Sequence, residues 1–237
     1  MEPLMDPRKD ANCFFRPPFP PSMQYAVVLA CDTGGIMKRC GAMEDLNKGL
    51  ERFGRILQND AYAANMMDVQ VLSYNAQIRQ ETPFRSAAQY TAPILSAGSM
   101  SAQNEAILTA LRNLQVWREC YRKLGVCFQQ MFLFFIVNAM ETDRELKAEA
   151  KRMLQERYAR DCTTVFILAV GDNVNIDHLR SYLPNRLGGI LQCDELHLTE
   201  ALEWFAESLV NMNHKALDGT ECEHVSTLPL PYCIRRV

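Results

Sequence analysis

Two spacings of apolar residues alternate along the chain. Continuous apolar runs of strand length, without polar alternation, are typical of parallel strands that are buried on both faces. The clearest ones are Tyr25–Cys31, Met131–Val137 and Thr163–Val170. Between them, apolar residues recur every three or four positions, as in the stripes through Leu46, Leu111 and Leu202, and this spacing predicts amphipathic helices. The alternation of the two patterns indicates an α/β protein.

Weaker patterns complete the predicted sheet. Asp68–Tyr74 predicts another strand, and a turn at Asn75 leads into a short strand at Gln77–Thr82 that we expect to pair antiparallel with it. Gly188–Cys193 predicts a small edge strand. We therefore expect a doubly wound, mostly parallel central sheet with helices on both faces and one antiparallel edge strand.

The domain boundaries follow from where these patterns begin and end. Residues 1–22 are rich in proline, which removes a backbone donor and disfavours helix, so we predict an N-terminal extension there. Residues 23–214 are expected to form the domain. Residues 215–237 show neither spacing and are predicted to be a C-terminal tail.

Composition and charge narrow the class of protein. The chain has 237 residues, is 48% hydrophobic and carries 25 Lys and Arg against 28 Asp and Glu. This balance argues against a nucleic-acid binder, which would show a basic excess. The apolar run Met131–Val137 is too short to span a bilayer, so no membrane insertion is expected.

The cysteines and the N-terminal residues bear on the compartment. The nine cysteines are an odd number without a Cys-x-x-Cys pair, and several lie in apolar runs, which favours free thiols over a disulfide framework. Residues 1–22 lack the apolar core of a secretory signal. We therefore expect a cytoplasmic protein.

Candidate chemistry lies in the loops that follow the predicted strands, because ligands of doubly wound sheets bind beyond the carboxyl ends of the strands. The sequence Asp32-Thr33-Gly34-Gly35 follows the first strand. Asn138 follows the strand that ends at Val137. Between them, Ser101 comes after a loop rich in Ser and Ala and is predicted to cap the next long helix.

Five segments together resemble the von Willebrand factor A (vWA) domain. They are VVLACDTGGIM, MEDLNKGLERFGRIL, VQVLSYNAQIRQETPF, APILSAGSMSAQNEAILTALRNL and FLFFIVNAMETD. The similarity covers about residues 24–213 and is greatest to the cytosolic bacterial vWA proteins associated with tellurium resistance. In this family the strand-end loops build a metal-ion-dependent adhesion site from a D-x-S-x-S loop, a threonine in the second loop and an aspartate in the third.

Matched to that site, the sequence keeps few of the family's ligands. Asp32 stands at the first aspartate, whereas Gly34 and Ile36 stand at the two serines. Ser99 falls at the threonine, and Asn138 falls at the third-loop aspartate. Mg²⁺ prefers carboxylate oxygens and water in octahedral geometry. The resemblance therefore implies a degenerate site without a cofactor, and a residual Mg²⁺ site would use Asp32, Ser99 and Asn138.

The resemblance implies a non-catalytic protein–protein interaction or scaffold module that binds a protein partner through the strand-end loops. The alternative is a Mg²⁺-dependent, adhesion-type vWA protein that uses the residual metal site. An enzymatic activity would need titratable groups that converge beside Asp32. The candidate partner-binding or degenerate metal site comprises residues of all three loops: Asp32, Thr33, Gly34, Gly35, Ile36, Ser99, Ser101, Asn138 and Glu141.

Overall fold

The computed structural model describes residues 24–39, 41–138, 143–161, 163–172, 174–183, 188–217 and 228–237. The predicted N-terminal extension at 1–22, the candidate residue Glu141 and residues 218–227 of the predicted tail lie outside these ranges. Strands and helices alternate along the described residues, as the two apolar spacings predict.

The strands are β1 (Gln24–Asp32), β2 (Met67–Tyr74), β3 (Ile78–Ser86), β4 (Phe128–Val137), β5 (Thr163–Val170), β6 (Gly188–Cys193) and β7 (Arg235–Arg236). The helices are α1 (Gly35–Arg39), α2 (Ala42–Asn59), α3 (Ala61–Met66), α4 (Gln103–Lys123), α5 (Lys147–Asp161), α6 (Ile176–Arg180) and α7 (Leu198–Leu217). Among the described residues, no helix combines the length and the apolar composition that crossing a membrane requires.

The described strands form one sheet in the order β3-β2-β1-β4-β5-β6-β7. The five central strands run parallel, and β3 pairs antiparallel with β2, as expected for the strand after Asn75. The predicted fold class, a mostly parallel doubly wound α/β sheet, is therefore confirmed. A second antiparallel strand, β7, adds to the opposite edge beside β6.

The core lies in two layers, one on each face of the sheet. All nine residues of β1 are buried, which explains its continuous apolar run. Val27 and Leu29 belong to the layer covered by α2 and α7, whereas Ala26 and Val28 belong to the layer covered by α4 and α5. Successive side chains of a strand point to opposite faces, so a strand covered on both sides must be apolar throughout.

Part of the predicted C-terminal tail packs against the domain. The indole Nε1 of Trp204 on α7 donates to the carbonyl of Leu228 at 3.0 Å, and the N–H of Leu228 donates to the hydroxyl of Ser208 at 3.1 Å. Ile234 is buried in the α2–α7 layer, and the N–H of Val237 donates to the carbonyl of Ile190 at 3.0 Å. Residues 228–237 thus pack against the domain, and within them β7 extends the sheet beyond β6.

The topology brings four loops to one edge of the sheet. β1, β4 and β5 are neighbours and parallel, so the segments that follow Asp32, Val137 and Val170 emerge side by side. The segment before α4 reaches the same edge because the N–H of Ala102 donates to the carbonyl of Asn75, in the turn after β2, at 2.7 Å.

Candidate functional site

Asp32 lies at the centre of this edge, as the last residue of β1, and is fully buried. Its Oδ1 accepts a hydrogen bond from the N–H of Gly34 at 2.7 Å. Its Oδ2 accepts from the hydroxyl of Ser101 at 3.1 Å and from the N–H of Asn138 at 3.3 Å. A buried carboxylate is costly unless it is hydrogen-bonded. Donors from three loops meet that requirement here.

Asn138 links the loop after β4 to the end of β5. Its Nδ2 donates to the carbonyl of Val170 at 2.8 Å, while its backbone N–H faces Asp32. Its Oδ1 is buried and has no hydrogen-bond partner among the atoms that the structure describes. A buried amide oxygen without a hydrogen-bond partner destabilises the fold, and it remains able to accept a hydrogen bond.

The loop before α4 is tied directly to the loop after β1. The N–H of Gly98 donates to the carbonyl of Thr33 at 2.6 Å, and the N–H of Gly35 donates to the carbonyl of Ser99 at 3.0 Å. A side chain at Gly98 would overlap Asn75, because a Cβ there would lie 2.4 Å from Asn75 Nδ2. That amide group itself donates to the hydroxyl of Thr33 at 3.2 Å. Glycine at position 98 therefore permits the two loops to close on each other.

The surroundings of Gly34 leave little room for a side chain at this position, where the family has a serine. A Cβ at Gly34 would lie 3.0 Å from Asp32 Oδ1 and 3.1 Å from the carbonyl oxygen of Met100. The two oxygens thus crowd position 34, and a side chain there would require one of them to shift by a few tenths of an ångström. Ile36, at the other serine position, lies on α1 and is partly exposed.

The two serines of the second loop have different surroundings. Ser99 is exposed, and its carbonyl accepts from Gly35. Ser101 is buried, and its hydroxyl is the one that reaches Asp32. The structure therefore places Ser101 beside Asp32 and not Ser99, which is the residue that matching to the family's threonine selects.

The prediction that Ser101 caps the following helix is wrong. α4 begins at Gln103, and its capping position is Ala102, which makes no side-chain cap. The first turn is instead capped from across the site, since Asp143 Oδ2 accepts from the N–H of Glu105 at 2.7 Å. The hydroxyl of Ser101 is thereby available to Asp32.

A polar cluster behind the first turn of α4 was not predicted from the sequence. Asn104 is fully buried, and its Nδ2 donates to the carbonyl of Asp143 at 3.1 Å and to Oδ1 of Asp143 at 3.2 Å. Its Oδ1 accepts from the hydroxyl of Tyr182 at 2.6 Å. The available signal was an asparagine on the apolar stripe of a helix, three residues before Ile107.

The protonatable neighbours of Asp32 are poor nucleophiles. Burial, and then the negative charge of Asp32, raise the pKa of the Cys31 thiol far above its ordinary value. The same two causes raise the pKa of Tyr74, whose hydroxyl donates to the carbonyl of Ile136 at 2.7 Å. Both groups are protonated at neutral pH, and a thiol reacts as a nucleophile only as its thiolate.

Among the described residues, Asp32 supplies a carboxylate, Ser101 supplies a hydroxyl in contact with it, and Asn138 supplies a buried amide oxygen at the end of β4. Within the described ranges, no three His, Cys, Asp or Glu side chains are grouped so that they could hold a metal ion. Mg²⁺ is normally held through carboxylates and keeps several waters. The donors among the described residues therefore differ from the set that Mg²⁺ prefers, while residues 139–142 of the loop after β4 lie outside the described ranges.

Comparisons with known proteins support the fold. No protein-family model matches the sequence, and no curated protein matches it either. Solved structures do match, among them a von Willebrand factor type A protein from Catenulispora acidiphila, at 15% identity over 80% of this chain and 43% of that chain, with a TM-score of 0.61. The vWF domain of the type V pili tip protein Mfa5 from Porphyromonas gingivalis matches at 8% identity over 86% of this chain and 99% of that chain, with a TM-score of 0.57.

A third match is proximal thread matrix protein 1 from the mussel byssus with a zinc-occupied MIDAS motif, at 8% identity over 78% of this chain and 46% of that chain, with a TM-score of 0.50. The chain spans less than half the length of the first and third of these structures. At these identities the similarity concerns the fold. The described domain has the fold of a vWA domain.

Proposed function

We propose that this chain is a non-catalytic interaction module of the vWA type, which binds a protein partner through the loops after β1, before α4 and after β4, and does so without a metal ion. The observation that carries the proposal is the environment of Asp32. Both of its carboxylate oxygens accept hydrogen bonds from protein donors in these loops. The residue that would anchor a metal is thus used to hold the three loops together.

The donor set fits Mg²⁺ poorly. A metal-bound carboxylate directs an oxygen at the ion or at one of its waters. Here the Ser101 hydroxyl and the Asn138 N–H both point at Asp32 Oδ2. The Met100 carbonyl oxygen would lie 3.1 Å from a Cβ at position 34, so a serine there would be crowded. These contacts favour a structural role for Asp32.

The surface above Asp32 supports partner binding. Met100 is 55% exposed on the second loop, beside the exposed Ser99. Methionine is enriched in protein–protein interfaces, and it adapts its shape to a partner. Two structural neighbours are named as pilus proteins, the type V pili tip protein Mfa5 and the PilB minor pilin from Streptococcus sanguinis. A binding role for the same fold here is consistent with those names.

The compartment and subtype belong to the same proposal. We place the chain in the cytoplasm, as a scaffold similar to the bacterial vWA proteins associated with tellurium resistance. Four cysteines of the described residues, Cys31, Cys127, Cys193 and Cys233, are free thiols. Free thiols persist in a reducing compartment.

A capture experiment with two matched variants tests the proposal. The full chain is immobilised, and bound proteins are identified with and without EDTA. Met100→Asp places a charge on the proposed surface, whereas Leu124→Asp places one just after α4, at a residue of nearly equal exposure, 51% against 55%. We expect the same partner in both buffers, its loss with Met100→Asp and its retention with Leu124→Asp. Partner loss in EDTA, or equal loss with both variants, contradicts the proposal.

One observation favours the Mg²⁺-dependent alternative. Asn138 Oδ1 is buried and has no hydrogen-bond partner among the described atoms, and a neutral oxygen of this kind can ligate Mg²⁺. The alternative predicts that EDTA abolishes partner capture and that Mg²⁺ restores it. The capture experiment therefore separates the two functions.

A further inference from the structure

A cavity of about 180 Å³ lies at the edge of the sheet where β3 pairs with β2. Val69, Pro83 and Tyr90 give it an apolar wall, and Glu81 and Arg85 are the charged residues that line it. None of the candidate residues around Asp32 belongs to its lining. An apolar cavity of roughly 150 Å³ can take up benzene, so this one has room for a ligand of about eight non-hydrogen atoms.

The cavity lies where the pairing of β2 with β3 is irregular. Val69 pairs with Arg85, and Val71 pairs with Thr82. One residue of β2 but two residues of β3 lie between these pairs, so β3 forms a bulge there. The N–H of Val71 donates to the side-chain hydroxyl of Thr82 at 2.9 Å, and Pro83, within the bulge, has no N–H to donate. A bulge interrupts the ladder and bends the strand, which leaves room for a cavity.

The aromatic part of the wall is held in place by α2. The buried ring of Tyr90 packs edge-on against Phe53, with 6.1 Å between the ring centres. The hydroxyl of Tyr90 donates to the carbonyl of Leu50 at 3.3 Å, and Gln58 Nε2 donates to the carbonyl of Tyr90 at 2.8 Å. A wall that is already fixed loses little conformational freedom when a ligand binds.

The two charged side chains of the cavity are not paired with each other. One carboxylate oxygen of Glu81 accepts from the hydroxyl of Ser73. Among the residues that the structure describes, no carboxylate forms an ion pair with the guanidinium of Arg85. Glu81 is half-buried and Arg85 is exposed. The cavity therefore presents one negative and one positive group to a ligand.

This pair of charges selects among small ligands. A carboxylate alone would be attracted by Arg85 and repelled by Glu81, and an amine alone would meet the reverse. A molecule that carries both groups is complementary to both side chains, and a guanidinium can hold a carboxylate through two parallel N–H bonds. The apolar wall favours an apolar remainder of the ligand.

We propose that this cavity binds a small zwitterionic amino acid with an apolar side chain, with its ammonium group at Glu81 and its carboxylate at Arg85. The inference goes beyond the proposed function, since the cavity shares no residue with the candidate site around Asp32. Because Arg85 is exposed, solvent screens its charge. We therefore expect weak binding, with a dissociation constant of about 1 mM.

Calorimetric titration of the full chain at neutral pH tests the class of ligand. L-valine is the zwitterionic probe, isovalerate is the same molecule without the ammonium group, and isobutylamine is the same molecule without the carboxylate. We expect L-valine to bind about tenfold more tightly than either analogue, since each analogue loses one attraction and keeps one repulsion. Equal binding of the three compounds overturns the proposal, and so does an absence of L-valine binding.

Substitutions on β3 test the roles of the two charges. Arg85→Gln should weaken L-valine binding by about tenfold, because it removes the partner of the carboxylate. Glu81→Gln should weaken L-valine binding as well, but it should strengthen isovalerate binding, because the repulsion of the carboxylate is lost. A gain in isovalerate binding also shows that this variant is folded.

Arg79→Gln is the matched control. Arg79 is an exposed arginine of the same strand and does not line the cavity, so its substitution should change the affinity for L-valine by less than about twofold. Equal weakening by Arg85→Gln and Arg79→Gln overturns the proposal, because the attraction would then be a general charge effect. Isovalerate binding that falls with Glu81→Gln overturns it too.

Discussion

The hydroxyl of Ser101 donates to the carboxylate of Asp32 at 3.1 Å, between residues that are 69 positions apart in the sequence. This bond joins the segment before α4 to the end of β1. It also explains why the first turn of α4 is capped by Asp143 and not by its own serine. The strand-end edge is therefore a hydrogen-bonded unit built around a buried negative charge.

Ser101→Ala should destabilise the domain. The variant removes a donor from a buried carboxylate, and a hydrogen bond to a charged group contributes roughly 1.5–3 kcal/mol. The free energy of unfolding in urea measures the effect. Ser99→Ala, at the exposed neighbour, is the control and should stay within about 0.5 kcal/mol of the unaltered chain. Equal effects of the two substitutions would show that the Ser101 contact is unimportant.

Gly98→Ala should open the contact between the loops. Its new Cβ would lie 2.4 Å from Asn75 Nδ2 and 3.0 Å from Asn75 Cβ, so Asn75 must move and release Thr33. Overpacking of this kind typically costs about 1–3 kcal/mol, and we expect weaker partner capture as well. At Gly35 the nearest contact of a Cβ would be 3.4 Å, so Gly35→Ala serves as the control. The unfolding free energies of the two variants should differ by more than about 1 kcal/mol.

The ionised side chain of Asp60 should stabilise the fold at neutral pH, and this contribution should be lost in acid. Its burial works to raise the pKa of this carboxyl, but hydrogen bonds from Ala63 N–H and from His214 outweigh burial and lower the pKa. A carboxyl with a lowered folded-state pKa contributes stability above its unfolded pKa of about 3.9 and loses it as the pH falls through the folded value. The contribution is below about 1 kcal/mol, since the group is largely solvated.

Urea unfolding of Asp60→Asn, compared with the unaltered chain between neutral and acidic pH, tests this. Asparagine still caps α3, so the comparison isolates the charge. The two unfolding free energies should differ at neutral pH and converge in acid. If the difference between the two unfolding free energies instead grows as the pH falls, the pKa of Asp60 is not lowered in the folded chain.

The cysteines should differ sharply in reactivity. Burial raises the pKa of Cys31 and Cys193, whereas Cys127 is exposed. Iodoacetamide labelling of the native chain, followed by peptide mass spectrometry, should modify Cys127 first and leave Cys31 and Cys193 unmodified until the chain unfolds. Labelling of Cys31 at the rate of Cys127 would show that the Asp32 edge opens readily.

The elements that could be predicted from the sequence pattern are those that are buried over many consecutive residues, because such burial requires a long apolar run. β1 is apolar throughout because helices cover both faces of the sheet, and that run is visible in the sequence. β7 has two residues and pairs through its backbone, so no periodicity marks it. The choice between Ser99 and Ser101 depends on the path of an irregular loop, which spacing does not encode.

The residue types at the site were nevertheless informative. A Cβ at Gly34 would lie only 3.1 Å from the Met100 carbonyl oxygen, so the glycine at this position goes with the close approach of the two loops. Asn104 and Tyr182 were missed because their partners come from elements far apart in the sequence. Such pairings join residues that are 78 positions apart in the sequence and are not local.

The central claim is that Asp32 holds the strand-end loops through protein donors and not through a metal ion. The most direct measurement is the melting temperature of the full chain after EDTA treatment, with and without excess Mg²⁺, at constant ionic strength. A ligand that binds only the folded state raises the melting temperature, and our account predicts no change. A melting temperature that rises in Mg²⁺ for the unaltered chain, but not for Asp32→Asn, would contradict our account.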